Sequence, residues 1–225
     1  MAKKTDLQEA RQQNIAEAVS KTELFFKKYA KIIYGCVAAV LIIALLAIAY
    51  NRFILQPKKT EAVNQLAQAE RWFDAGKYEL ALNGDDNSLG LVDIVSQYGA
   101  KAGEAVYLYA GVASLRTGAY EEAISYLKKY NVDDNILQAR AQACIGDAYV
   151  ELEDYATALN WFEKAAKTSD NLFSAAYLLK AGTAAEALGQ MDKALACYKE
   201  IKDKWGNAPE AMEIDKYITR IEFSE

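Results

Sequence analysis

Hydrophobic and polar positions follow two different rules along this chain. From Ile32 to Tyr50 there are 19 residues with no charge and no proline. At about 1.5 Å rise per residue, such a run as a helix matches the hydrocarbon thickness of a bilayer. Beyond residue 60 the apolar positions recur at helical spacing, and the pattern itself repeats. The expected elements are one apolar spanning helix, then a series of amphipathic helix pairs.

Three blocks align without gaps from Glu104, Ala139 and Ala175, at offsets of 35 and 36. Their eighth position holds Gly111, Gly146 and Gly182, and the twentieth holds Ala123, Ala158 and Ala194. The seventeenth holds Tyr120, Tyr155 and Met191, and the twenty-fourth Leu127, Phe162 and Tyr198. Two antiparallel helices approach closely only where side chains are small. The glycine of the first helix is therefore expected to face the alanine of the second, with the large residues filling the space on either side. Position fifteen, where the first helix should end, holds Gly118, Glu153 and Gly189. Glycine suits the left-handed residue that closes a helix, so Glu153 breaks the pattern.

An earlier copy starts near Ala62, with Ala69, Trp72, Gly76, Tyr78 and Ala81 at matching positions. The frame then slips by 42 residues to Glu104, around Asn83-Gly84-Asp85-Asp86-Asn87-Ser88. This reads as a first unit whose second helix is broken by an acidic loop. Leu89, Val92, Val95 and Tyr98 resume an amphipathic helix that Gly99 can cap. The loop lacks the spaced ligands and terminal glutamate of an EF-hand, so a plain loop is expected. A last helix, opening at Asn207 or Pro209 and running through Ile221, carries Ile214, Ile218 and Ile221 on one stripe. Its other side is wet, as a terminal cap requires.

This small-large pattern resembles the tetratricopeptide repeat over about residues 60–223. Asn135, Asp170 and Gly206 stand where that repeat usually has proline. The expected fold is all-α: a single N-terminal transmembrane helix, then a tetratricopeptide-like α-solenoid of about four helix pairs and a C-terminal capping helix. The expected divisions are a basic cytoplasmic helical tail at 1–31, a transmembrane signal anchor at 32–55 and the repeat domain at 56–225.

Charge adds direction. Residues 1–31 carry seven Lys/Arg and four Asp/Glu, while residues 56–225 carry 18 and 27, a net of −9. So acidic a domain is a poor partner for nucleic acid or anionic lipid. A cleaved secretory signal competes with a permanent anchor, because Ala47-Ile48-Ala49 resembles a cleavage site. The leader of 31 residues and the run of 19 are too long for a cleavable signal, which favours the anchor. The short basic tail should stay cytoplasmic and the repeats cross the membrane. Within the tail, Leu7, Ile15, Val19 and Phe26 fall near one stripe of a helix from Thr5 to Lys31. That helix either lies near the headgroups or docks on a membrane partner.

Candidate chemistry is sparse. There is no histidine, and the three cysteines have neither a disulfide framework nor metal-ligand spacing. Cys144 and Cys197 read as small buried thiols. No phosphate-binding glycine loop occurs. No enzymatic activity, cofactor, metal or small-molecule substrate is expected.

What the repeat resemblance implies is a groove lined by the first helix of each pair, at positions two, five, nine, twelve and thirteen. The candidate partner-binding residues are Leu66, Glu70 and Phe73 in the first unit and Leu108, Val112, Leu115 and Arg116 in the second. Arg140, Asp147 and Val150 follow in the third, and Leu179 and Thr183 in the fourth. Repeats that clamp the C-terminal carboxylate of cytosolic chaperones carry lysine and asparagine at positions five and nine. Here Leu or Ala stands at five, and Glu, Val, Asp or Thr at nine. An apolar helix or an extended segment suits this groove better, although some of these residues could instead pack between units. The order of a basic tail with Glu23-Leu24-Phe25-Phe26, one span and then repeats resembles the YfgM-like ancillary subunits of the Sec translocon. That resemblance implies a bacterial inner-membrane protein with a periplasmic repeat domain. Its partners would be translocon subunits, exported polypeptides or periplasmic chaperones. The alternative is a cell-envelope scaffold that assembles division, wall-synthesis or outer-membrane secretion proteins.

Overall fold

The computed structural model describes residues 27–223, which divide at Pro57/Lys58 into two compact units. The stripe read in the N-terminal tail from Leu7 to Phe26 lies outside the described residues. In the first unit, residues 27–50 form α1, followed by a short π-helical stretch, Asn51–Leu55. The helical run that starts at Lys27 is long and apolar enough to cross a membrane, and none of its most apolar window is buried.

The repeat unit begins at Lys58, within α2 (Gln56–Asp74), and contains α3 (Tyr78–Asn83), α4 (Leu91–Gln97), α5 (Ala105–Arg116), α6 (Tyr120–Leu127) and α7 (Asn135–Glu151). It continues with α8 (Tyr155–Ser169), α9 (Ser174–Ala187), α10 (Met191–Lys204) and α11 (Ile214–Glu222). From α5 onward each helix packs on the next in chain order, giving an α-solenoid that ends in α11. Caps set the element boundaries. Asp134 Oδ1 accepts from the N–H groups of Ile136 and Leu137, both at 2.9 Å, and so opens α7. Asp154 Oδ1 accepts from Thr157 N at 3.0 Å and opens α8. Hydrogen bonding from the Thr157 side chain, and then from its backbone N–H, holds the Asp154 carboxyl below its ordinary pKa.

Each unit turns through the same closure. Gly76, Gly118 and Gly189 have φ of +71°, +84° and +70°, and Glu153 shares their left-handed conformation at +60°. The next residue's N–H reaches back five positions: Lys77 to Trp72 O, Ala119 to Ser114 O, Asp154 to Tyr149 O and Gln190 to Ala185 O, each at 2.9 Å. This is the 6→1 bond that satisfies the last carbonyls of a helix. Glu153 departs from glycine in sequence but not in geometry. It carries the steric cost of a Cβ in the left-handed region.

The contact at position eight differs from the expected glycine-on-alanine pairing. A Cβ on Gly146 would overlap the Phe162 ring, and one on Gly182 the Tyr198 ring. One on Gly111 would overlap Leu127, with the Ala123 carbonyl close beside it. The glycine thus lies directly beneath the large position-24 side chain, which is nearly fully buried in all three units. Alanine at position twenty, also fully buried, lets the second helix come near enough for this to happen.

In the first unit the second helix is interrupted, as the frame slip suggests. Gly84–Asp85 pairs antiparallel with Ser88–Leu89, as β1 and β2. Asp85 Oδ1 accepts from Asn87 N and Ser88 N at 2.9 and 2.8 Å, so that carboxylate closes the loop. The following helix buries Leu91 and Ile94, whereas Val92, read as part of the inward stripe, is exposed. Its starting frame is set by Gly90, which lies against the Leu82 carbonyl and the Asn83 backbone. At the other end, Pro209–Met212 forms a 3₁₀ turn, and α11 begins only at Ile214. Ile214, Ile218 and Ile221 are buried as the stripe requires.

Polar bonds fix this cap. Arg220 pairs with Glu186 of α9 at 2.5 Å, and Glu186 accepts the Tyr198 hydroxyl at 2.5 Å. Lys199–Glu222 and Lys202–Asp215 join α10 to α11 at 2.9 and 2.6 Å. Burial and the Glu186 bond push the Tyr198 phenol well above its ordinary pKa, so it stays a donor.

Two opposite stability changes are expected. Gly146→Ala and Gly182→Ala should each destabilise the repeat unit by about 1–3 kcal/mol, because the ring above must move. Glu153→Gly should stabilise it by about 1 kcal/mol by relieving the left-handed Cβ. Tryptophan fluorescence during urea denaturation of the detergent-solubilised chain checks both, as opposite shifts of midpoint at constant slope.

Candidate functional site

The first helices α5, α7 and α9 present a groove of about 420 Å³. Six of the twelve candidate residues line it: Val112, Leu115, Arg116, Arg140, Asp147 and Val150. The other six lie elsewhere. Leu66 is buried at 5% exposure in the core of the first unit. Phe73 belongs to an aromatic group, with ring centroids 5.4 Å from Tyr78 and 5.0 Å from Tyr109. Glu70 is half-buried nearby, and burial together with Asp74 raises its pKa. Leu108 packs half-buried against the cluster that includes Leu127 and Ile145, and Leu179 against the C-terminal core. Thr183 is exposed, and its hydroxyl donates back to the Lys180 carbonyl at 2.9 Å. Packing into the core accounts for Leu66, Phe73, Leu108 and Leu179, and in part for Val112, Leu115 and Val150, which line the groove while packing against the same clusters.

The groove also contains Tyr120, Cys144, Glu151 and Lys180, which the position list omits. Cys144 and Lys180 both stand at position six of their units. Positions two, six, nine and thirteen follow one another at spacings of four, three and four, so they form a single helical stripe. That periodicity could have revealed position six. Tyr120 belongs to no such stripe. It starts α6, yet its hydroxyl reaches across units to donate to Glu151 Oε2 at 3.2 Å.

Charges in the groove are partly settled internally. Lys180 Nζ donates to both oxygens of Asp147 at 2.7 and 2.8 Å. Glu151 accepts from Tyr120. Arg116 and Arg140 are exposed, and neither has a hydrogen bond or ion pair among the described residues. A larger cleft of about 610 Å³ at α8, α9 and α10 behaves differently. There Lys193 pairs with Glu163 at 3.1 Å and Lys204 with Glu200 at 2.8 Å.

Cys144 forms part of the groove wall. Burial, reinforced by Asp147, pushes its thiol up to about 11, against the opposing pull of Lys180, Arg140 and Arg116. Cys197 in the larger cleft is likewise raised to about 11 by burial, with help from Glu163 and Glu200. Both cysteines are free thiols. No cluster of three or more metal-ligating side chains occurs among the described residues.

Comparison with known proteins bears on this geometry. Residues 139–171 match the tetratricopeptide repeat family, and the match begins at the first residue of the third block. No curated protein matches the sequence. Among solved structures, crystal structures of MamA are similar. One has 21% identity and a TM-score of 0.51, covering 69% of this chain and 92% of that one. Another, of MamA AMB-1, has 21% identity and a TM-score of 0.50 over 73% and 86%. A Podosopora anserina kinesin light chain structure with nearly identical TPR-like repeats gives 14% identity and a TM-score of 0.54 over 74% and 87%. At these identities the likeness establishes the fold: the chain carries a solenoid of tetratricopeptide type.

The raised thiols set an expected reactivity. At pH 8 iodoacetamide should label Cys144 and Cys197 roughly tenfold or more slowly in the folded chain than in urea. Their rates should still be rising as the pH nears about 11. Mass-spectrometric quenching at several pH values checks this.

Proposed function

We propose that this chain is a single-pass membrane protein whose repeat domain receives other proteins beyond the bacterial inner membrane. In this reading it is an accessory subunit at the Sec translocon, in contact with exported polypeptides, translocon subunits or periplasmic chaperones. The observation that carries the reading is the groove shared by α5, α7 and α9. It combines the apolar side chains of Val112, Leu115 and Val150 with unpaired cationic ones, and is open enough for a peptide segment. Stacks of this type bind other proteins through such faces.

Two further features support it. Ile32, Val40, Leu41, Ile43, Leu45 and Leu46 are each more than half exposed on α1. An apolar surface of that extent calls for a non-aqueous neighbour, and a bilayer matches its length. The basic tail argues for a cytoplasmic N-terminus and an exported repeat domain. The order of elements resembles the YfgM-like translocon subunits, and this likeness supports a place beside the export channel.

The reading makes a direct prediction. Photo-crosslinking residues placed at Val112 and Val150 should trap exported chains or translocon subunits in intact cells. A phosphatase reporter fused after the last residue should be active outside the cytoplasm. A cytoplasmic readout, or crosslinking to neither class, would remove the proposal.

A further inference from the structure

The arginines of the groove stand apart from the other charges around them. The repeat domain has 27 acidic side chains against 18 basic ones, so carboxylates are abundant. Yet none pairs with Arg116 or Arg140 among the described residues, although both side chains line one groove. The two carboxylates nearest at hand are already engaged, Asp147 by Lys180 and Glu151 by the Tyr120 hydroxyl. With Lys180 counted, three cations and two carboxylates line the groove, against the strongly negative balance of the domain. Val112, Leu115 and Val150 supply apolar wall between these charges.

We infer that this groove recognises an extended peptide segment bearing carboxylate side chains interspersed with apolar ones, with Arg116 and Arg140 binding the carboxylates. The inference rests on the reading of the groove as a protein-binding face and names the chemistry of its partner. Guanidinium suits the task because its planar fork can hold a carboxylate through two parallel hydrogen bonds. Cys144, half-buried, adds weakly polar surface to the same wall. A polyanion is a poor occupant, because the surrounding carboxylates repel a long run of phosphates. A short segment with a few carboxylates meets the local positive charge and escapes most of that repulsion.

The probes are fluorescein-labelled synthetic peptides with one Leu/Val pattern, whose intervening positions are all Glu, all Gln or all Lys. Anisotropy titrations use the full chain in lipid nanodiscs. The Glu series should bind about tenfold or more tightly than the Gln series, as charge-assisted bonds to two arginines predict, and the Lys series weakest. The difference should shrink between roughly 50 and roughly 500 mM NaCl. The double variant Arg116→Gln, Arg140→Gln should erase it, and Arg116→Glu with Arg140→Glu should invert it toward the Lys series. Arg→Lys at both positions should leave an intermediate preference. Both side chains are exposed, so an unchanged helical circular dichroism signal and thermal midpoint confirm that each variant folds. Equal binding of the Glu and Gln series overturns the inference while leaving the groove itself a peptide site. Binding that is absent, or indifferent to Val112→Glu and Val150→Glu, overturns both.

Discussion

The repeat unit depends on one steric arrangement: a bare backbone at position eight beneath a large side chain at position twenty-four. Gly111, Gly146 and Gly182 let Leu127, Phe162 and Tyr198 lie against the first helix where any Cβ would collide. The ring or branched chain then occupies the space between two helices at near-zero exposure. Burying a side chain of this size stabilises by about 1.5–3 kcal/mol. The same contact sets the distance between the paired helices. Because each unit leaves an apolar face for the next, that spacing is passed along the stack.

The groove inherits its order from this packing. The backs of α5, α7 and α9 are fixed by the core, so their outward stripes stand in a defined relation. Residues far apart in sequence then meet: Tyr120 with Glu151, and Asp147 with Lys180. Lys180 neutralises Asp147, the Tyr120 hydroxyl only ties down Glu151, and two guanidinium groups stay available. The cap achieves the reverse, joining Tyr198, Glu186 and Arg220 so that the last hydrophobic ring ends in a closed set of polar bonds.

Much of the fold was legible in the sequence because its governing contacts are periodic. Repetition at 35 and 36 residues exposed the glycines and the large residues, the 42-residue slip the broken first unit, and helical spacing the isoleucine stripe of the last helix. What the periodicity could not give was the partner of each glycine. Ala123 and Leu127 lie one helical turn apart on the same face, so spacing alone does not say which one sits over Gly111. Glu153 looked like an exception, yet it keeps the turn, because the 6→1 bond and packing on both sides outweigh the cost of its Cβ. Six of the twelve candidate residues line the groove. Leu66 and Phe73 belong to a unit with an interrupted second helix, where inward-facing positions become core. Lys180 and Tyr120 act across unit boundaries, which a unit-by-unit reading does not reach.

The position-twenty-four series runs Leu127, Phe162, Tyr198, so the buried side chain grows from unit to unit. Each spaces the two helices of its own unit, and the interaxial distance of packed helices follows the size of the side chains at the contact. The separation of Arg116 and Arg140 can be retuned from behind, by the volume of residues that never touch what the groove holds.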